Sequence, residues 1–487
     1  MLRSSGRSNI CWKMSVSKGI GKGSLAGVLG LVFMSLGWAA ETEEASRPNI
    51  VVIMADDLGW KDLHCYGNEL LDTPALDKLA SEGMRFTDAY AAAPVCSPTR
   101  AAMMTGQAPA RLQLTNHAPG HPDGFAPEGS SLAEAQSVRN LALSYETVAE
   151  QLSDAGYETA HIGKWHLSYA GRGEEGKLAE LELRPEHQGF GINIGGCYQG
   201  GPPSYFAPYR IPALTEREEG EYLPERLADE AIAFVEEKRN KPFYLNWWPY
   251  SVHYPMEAKE ELIAKYRARK GPGIKNPIYA AMIEAMDTEI GRFLVALDEA
   301  GLRENTLVIF KSDNGGYDGD NRPLRGMKGM LYEGGIRIPW FARWPGKIQP
   351  GSTCSTPVVS MDCYPTLLEV AGVEPVKTPV DGESLLPLFQ QSEGFERDAI
   401  FFHYPNFAFH KLNQLGGVVR VGDHKLIKRY DDGELELFNL KKDLGETDNL
   451  AEESPELAQQ LEEKLDAWLQ EVGAAMPIRV GKEKDAE

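Results

Sequence analysis

Positive charge is what this sequence is short of. Its 487 residues hold 50 lysines and arginines against 71 aspartates and glutamates, a net charge of −21. A chain this acidic has no general grip on nucleic acid or on an anionic membrane, since both are bound through excess cations. If its substrate is anionic, the attraction must come from a local cluster of cations or from a bound metal. Cysteine is scarce as well, six in all. Five of them, Cys65, Cys96, Cys197, Cys354 and Cys363, follow the first 40 residues. That number is odd, so at least one thiol lies outside any internal disulfide; Cys354 and Cys363 are near enough in sequence to pair. There is no low-complexity tract and no internal repeat, which argues against a fibrous or disordered role.

The first 40 residues stand apart. Arg3, Arg7, Lys13, Lys18 and Lys22 make a basic stretch with no acid, Leu25 to Trp38 is apolar, and Ala39 and Ala40 precede Glu41. That order predicts a secretory signal peptide over 1–40, cleaved near Ala39 or Ala40. The basic part is long, and a start at Met14 gives a more usual length. The apolar run is short for a full span, so an uncleaved anchor is the weaker reading and no stable membrane insertion is expected after cleavage. The expectation is export, to periplasm or exterior. Losing five basic residues leaves 45 against 71 acids, a mature charge of −26.

Asn49 to Ala55 is an unbroken apolar run of the kind a buried parallel strand needs. Thr159–Ile162, Phe243–Asn246 and Thr306–Phe310 resemble it, and between them lie helical patterns. The clearest runs from Ile278 through Met282, Met286, Ile290, Phe293, Leu294 and Leu297 and stops at Gly301. Strands alternating with helices predict an α/β domain with a mostly parallel sheet, over 41–375. Beyond a proline-rich stretch, 399–404, 417–421, 425–430 and 435–438 read as short strands, with Asp432-Gly433 as a hairpin turn and a helix over 454–472. This predicts a smaller C-terminal domain, 376–487, with an antiparallel sheet and a terminal helix. Two irregular stretches, 114–140 and 168–188, are expected to border a substrate pocket.

Each of the four long strands is followed by polar groups: Asp56 and Asp57, then Lys164 and His166, then His253, then Asp313 and Asn314. In an open parallel sheet ligands bind at the carboxyl ends of strands, so four such ends suggest one shared site. Three carboxylates meeting in one place repel one another unless a cation joins them. An all-oxygen set of Asp and Asn suits Ca²⁺, with Mg²⁺ second. Singly, Asp57 also reads as a helix cap and Asp313-Asn314-Gly315 as a plain turn. Cys96-Ser97-Pro98-Thr99-Arg100 is set to begin a helix, with Pro98 in its first turn and Cys96 where the dipole favours an anion. A lone cysteine of this kind is more often a buried structural thiol.

The cysteine is not alone. C-x-P-x-R from Cys96 followed by Thr105-Gly106, A-D-D-L-G at 55–59, G-K-W-H-L at 163–167, H-Y-P at 253–255, S-D-N-G-G at 312–316 and G-M-K-G-M-L-Y-E-G-G-I-R-I-P at 326–339 resemble the type I sulfatase family of the alkaline-phosphatase-like superfamily. Leu437-Phe438-Asn439-Leu440 through Asn449-Leu450 resembles its closing segment. The resemblance implies that Cys96 is oxidised to formylglycine by a formylglycine-generating enzyme. It implies that Asp56, Asp57, Asp313 and Asn314 hold Ca²⁺ together with an oxygen of residue 96. It also assigns Lys164, Lys328 and Arg100 to charge and orientation, and His166 and His253 to protons. The implied reaction is attack on sulfur by a hydrated formylglycine, with His253 protonating the departing alcohol and His166 taking a proton from the second hydroxyl.

A sulfated polysaccharide or its fragments fit an exported acidic protein with a cationic pocket, and aryl sulfates are a second substrate class. Trp247, Trp248, Tyr250 and Tyr254 flank His253 and either stack on sugar rings or pack in the core. Two rival readings remain: a phosphatase or phosphodiesterase of the same superfamily, and an inactive glycan-binding homologue.

Overall fold

The computed structural model describes residues 47–480 other than 239, 270 and 376–378. The segment 1–40, expected to be a signal peptide, and its expected cleavage near Ala39 or Ala40 lie outside them. The described residues fall in one compact unit, and no helix among them is long and apolar enough to cross a membrane.

The core is an eight-stranded sheet. In chain order its strands are β1 (Asn49–Ala55), β2 (Met84–Phe86), β3 (Glu158–Gly163), β4 (Ile192–Ile194), β5 (Phe243–Trp248), β6 (Thr306–Ser312), β7 (Trp340–Arg343) and β8 (Ser352–Cys354). They lie side by side as β8-β2-β7-β6-β1-β5-β3-β4, and only β7 runs against the rest. β1 sits between β5 and β6 and all seven of its residues are buried. Val51, Ile53 and Ala55 face one apolar layer and Ile50, Val52 and Met54 the other, the period-two alternation of a strand covered on both faces. Each such side chain contributes roughly 1.5–3 kcal/mol by leaving water.

Helices supply the two covers. α1 (Cys96–Thr105) lays Ala101, Met103 and Met104 on one face of the sheet. α2 (Pro277–Glu299) covers the other with the residues of its apolar stripe. Pro277 occupies its first turn and the Asn276 side chain accepts from the Ile278 N–H at 3.0 Å, so its start is capped.

The second sheet is an antiparallel meander of β9 (Ile400–Tyr404), β10 (Gly416–Val421), β11 (His424–Arg429) and β12 (Leu435–Asn439). Val418, Ile427 and Phe438 face Val95 and Ala102 of the main body. Val419, Leu426 and Leu437 face Leu461, Leu465 and Leu469 of the terminal helix α3 (Pro455–Glu471). Buried charge joins the layers further: Lys425 donates to Glu333 at 2.9 Å and to Glu446 at 2.7 Å, and Arg420 pairs with Asp88 at 2.7 Å.

Two expectations need correcting. The stretch 168–188 is not merely irregular: Gly173–Leu181 is helical and Pro185–His187 a short 3-10 turn. Gly173 and Gly176 obscured that helix, which is anchored by buried Glu180 accepting from Ser168 at 3.0 Å and from Arg184. Cys354 and Cys363 do not pair: all five described cysteines are free thiols, and Cys363 is buried at the start of a helix beside Lys311.

Candidate active site

Because β1, β3, β5 and β6 are parallel, their carboxyl ends open on one edge of the sheet, and the polar residues after them converge there. Asp56 leaves β1 directly, and Asp57 takes a left-handed φ of +65°, a conformation Asp tolerates better than most residues. Cys96, 1% exposed, begins α1 and points its thiol at Asp56, Sγ to Oδ1 3.6 Å. Lys164 donates to the other oxygen of Asp56 at 2.7 Å. Lys328 reaches both oxygens of Asp57, at 2.6 and 2.7 Å, and His253 Nε2 lies 3.7 Å from the same carboxylate.

Arg100 binds the two halves of the cluster together. It is fully buried, donates to Asp313 Oδ2 from Nε at 3.1 Å and from a terminal nitrogen at 2.6 Å, and donates to the Lys164 carbonyl at 3.0 Å. Its guanidinium lies 5.2 Å from the ring centre of Trp248. Asp313 uses its other oxygen to accept the Asp57 N–H at 3.1 Å. Asn314 donates its amide to Asp57 at 2.8 Å, and its Oδ1 is buried with no protein partner.

Three carboxyls in a dry space cannot all ionise freely. Burial pushes Asp56 up to about 8, with Asp313 and Asp57 adding to the effect against Lys164 and Arg100. Burial opposes ionisation of Asp57 and Asp313 too. Lys328 outweighs it at the first, and Arg100, Lys164 and Lys328 at the second, holding both below the usual carboxylate range. A divalent cation would resolve the strain at Asp56, and the orphaned Asn314 oxygen is a ready ligand; the hard all-oxygen set fits Ca²⁺ or Mg²⁺. Ligand atoms of Asp56, Asp57, Cys96 and His253 lie within 4.8 Å of one another.

The histidines are neutral. Enclosure and then Lys328 lower His253 to about 3, although one edge of the ring, 22% exposed, reaches the pocket. Its Nδ1 faces the Tyr254 carbonyl at 2.9 Å; since a carbonyl only accepts, Nδ1 carries the proton. His166, held well below its usual range by burial and Lys164, donates from Nε2 to the Ala118 carbonyl at 2.5 Å, leaving a buried Nδ1 with no partner. Gly200 and Gly201 make room for these rings: a Cβ at either would sit 2.6 Å from His166 or His253. Burial also pushes the Cys96 thiol up to about 12 despite Lys164 and Lys328, so the unmodified side chain is no thiolate nucleophile at neutral pH.

All ten residues singled out in the sequence therefore meet in one place. Of the four aromatics near His253, Trp247, Trp248 and Tyr250 are core residues at 1% exposure or less; only Tyr254, at 45%, faces the pocket. The stretch 114–140 does border the pocket, through His117 and Ala118, while 168–188 supplies none of its lining. His117, Tyr317 and Phe409 also line it and were missed. Tyr317 sits just past Asn314-Gly315-Gly316, a signal at hand; Phe409, from the β9–β10 connection, carries none.

Fold and site together define a hydrolase of the alkaline-phosphatase-like superfamily. A family model described as Sulfatase matches residues 48–373, and one described as N-sulphoglucosamine sulphohydrolase, C-terminal, matches 327–472. The chain belongs to the sulfatase family and is a sulfuric ester hydrolase. It is 32% identical to a sulfatase of Formosa agariphila across 91% of this chain and 92% of that one. It is 35% identical to arylsulfatase A of Homo sapiens across 80% and 76%. Among solved structures it resembles Ps i-CgsB in complex with k-i-k-neocarrahexaose, at 28% identity and a TM-score of 0.74, covering 87% of this chain and 93% of the other.

Proposed function

We propose that this protein removes sulfate from a sulfated carbohydrate or an aryl sulfate, using a formylglycine made from Cys96 and a Ca²⁺ held by Asp56, Asp57, Asp313 and Asn314. One observation carries the reading: Cys96, at a helix start, faces Asp56 inside a ring of buried cations that an otherwise acidic chain has no structural need to assemble. The net reaction adds water across the S–O bond of the ester, giving the alcohol and hydrogen sulfate.

A hydrated formylglycine supplies two hydroxyls on one carbon, one to attack sulfur and one through which sulfate is later expelled. Bound Ca²⁺ supplies fixed positive charge that favours the ionised hydroxyl. The chain's own groups do the rest. Lys164 and Lys328, now paired with Asp56 and Asp57, are the cations available to sulfate oxygens as charge grows on them. Arg100 keeps Asp313 and the first turn of α1 in register. The unpartnered Nδ1 of His166 is the lone pair placed to take a proton. His253 is neutral beside Lys328; an anionic sulfate bound there raises its proton affinity and fits it to protonate the departing oxygen through Nε2. The chain is exported to periplasm or exterior, and its maturation partner is a formylglycine-generating enzyme.

Peptide mass across Cys96 after co-expression with such an enzyme tests the modification, and sulfate release from aryl and sugar esters tests the activity. Aldehyde at 96 together with sulfate release supports the reading. A thiol in fully active protein, or faster release of phosphate than of sulfate from matched esters, overturns it.

A further inference from the structure

Outward from the sulfate cradle the site opens into a cavity of about 470 Å³, room for one or two rings. Its outer wall is aromatic. Tyr254 and Phe409 are 45% and 47% exposed, among the few large apolar side chains so exposed in the described residues. Tyr317 stands between them, edge-on to both, with ring centres 6.1 Å from Tyr254 and 5.1 Å from Phe409. These rings come from three distant stretches: the segments after β5 and β6, and the β9–β10 connection. Core packing does not explain two large rings left open to solvent on one pocket mouth; an exposed apolar patch of this kind marks a binding surface.

The charge of this cavity is as telling as its shape. Lys328 is the one lysine or arginine among its lining residues apart from the cradle behind, and both oxygens of Asp57 already engage it. His117 lines the cavity as well, and burial lowers it to about 4, with Lys328 and His121 adding to the effect. His117 Nδ1 bonds the Asn116 side-chain oxygen at 2.9 Å, which leaves Nε2 as an acceptor for a hydroxyl. Burial raises the Tyr254 phenol to about 12 and the Asp318 carboxylate beside it adds to the effect, so a negative charge stands at the mouth. A second sulfate or a carboxylate on the entering ring would meet no counter-ion there and would face that carboxylate in a chain of net charge −21. A hollow beyond Tyr317 does contain Lys275 and Arg322, the latter paired with Asp320, so the restriction falls on the ring that bears the scissile sulfate and not on its neighbours.

We propose that the alcohol released is a neutral ring, a pyranose or aryl group with no anion besides the scissile sulfate, clasped by the collar of Tyr254, Tyr317 and Phe409. This rests on the sulfatase reading and adds the identity of the leaving group to it. The collar touches the ring faces and the acceptor on His117 takes a hydroxyl, so apolar surface and hydroxyl donors are rewarded where a second anion is rejected.

The test is kcat/KM of the matured enzyme on ring-matched pairs that differ by one anion: 4-sulfooxybenzamide against 4-sulfooxybenzoate, and methyl galactoside 6-sulfate against its 3,6-disulfate. The neutral member should be favoured by about ten-fold at low salt, with the gap narrowing as salt screens it. The pair that reacts shows whether the ring is aryl or sugar. Phe409→Ala and Tyr254→Ala, both at exposed positions, should raise KM for the neutral ester several-fold while changing kcat little. Equal or better turnover of the anionic members, or unchanged KM in both variants, overturns the proposal and leaves the sulfatase reading standing. Sulfate release from no member of either pair removes both.

Discussion

Arg100→Met is the sharpest probe of how this site is held together. The substitution keeps the volume of a fully buried side chain and removes its charge. Two hydrogen bonds to Asp313 are lost, along with one to the Lys164 carbonyl and the contact with Trp248. A buried carboxylate stripped of its partner costs about 3–5 kcal/mol, and the orphaned carbonyl adds about 1 kcal/mol. The loss should therefore be about 4–6 kcal/mol, a large share of the ~5–15 kcal/mol that holds a typical domain folded. Urea denaturation in EDTA measures it without assistance from metal. The double variant Arg100→Met/Asp313→Asn should recover about 2 kcal/mol, since a neutral amide needs no counter-ion. A loss below about 1 kcal/mol, or no recovery in the double variant, would refute the account of Arg100 as the buried tie of the cluster.

Cys96→Ala should abolish sulfate release with little change in melting temperature, because it removes a single sulfur and one long hydrogen bond, to Asp56; retained turnover would exclude residue 96 as the source of the nucleophile. Asn314→Leu removes the orphaned oxygen, so calcium affinity measured by calorimetric titration should fall about ten-fold or more, and a wild-type affinity would show that the metal sits elsewhere. Lys425→Met strands Glu446 in the layer between the sheets, while Glu333 keeps Arg337; unfolding should become easier by about 3–5 kcal/mol, and a change under about 1 kcal/mol would show that this ion pair does not hold the layers together. Asp287, pushed up to about 7 by burial against the N–H groups of Leu76 and Ala75, gives a pH signature. Its folded form holds the proton longer than the unfolded chain. Its stabilising share is therefore complete below about pH 4 and is lost as pH rises through about 7. Asp287→Asn should flatten the fall in melting temperature between about pH 4 and 7, and an unaltered slope would assign that fall to other groups.

Much of the fold was legible because its signals are local. A strand covered on both faces must be largely apolar, so β1 and β6 declared themselves, and the apolar stripe from Ile278 to Leu297 with its stop at Gly301 marked α2. Glycine hid the helix at Gly173–Leu181, since residues 173 and 176 break the periodicity that a helix is read from. Proximity in sequence misled at Cys354 and Cys363: one ends a strand and the other begins a helix, and both stay free thiols although they border the same apolar cluster. The aromatic cluster at 247–254 was ambiguous for a sound reason: a strand alternates its side chains, and only burial tells which ring reaches a pocket.

By itself the sequence determined which chemistries were on hand: oxygens for a hard metal, a cysteine at a helix start, and a few cations placed after strands. Those depend on residue type and near neighbours, and they are written in order along the chain. Tertiary structure alone decided who pairs with whom. It set Lys164 on Asp56 and Lys328 on Asp57, left the Asn314 oxygen and His166 Nδ1 without partners, and carried Phe409 from the second sheet to the mouth of the first. Such pairings join residues up to 271 positions apart, and no periodicity reaches that far; only packing of the finished layers brings them within a hydrogen bond of each other.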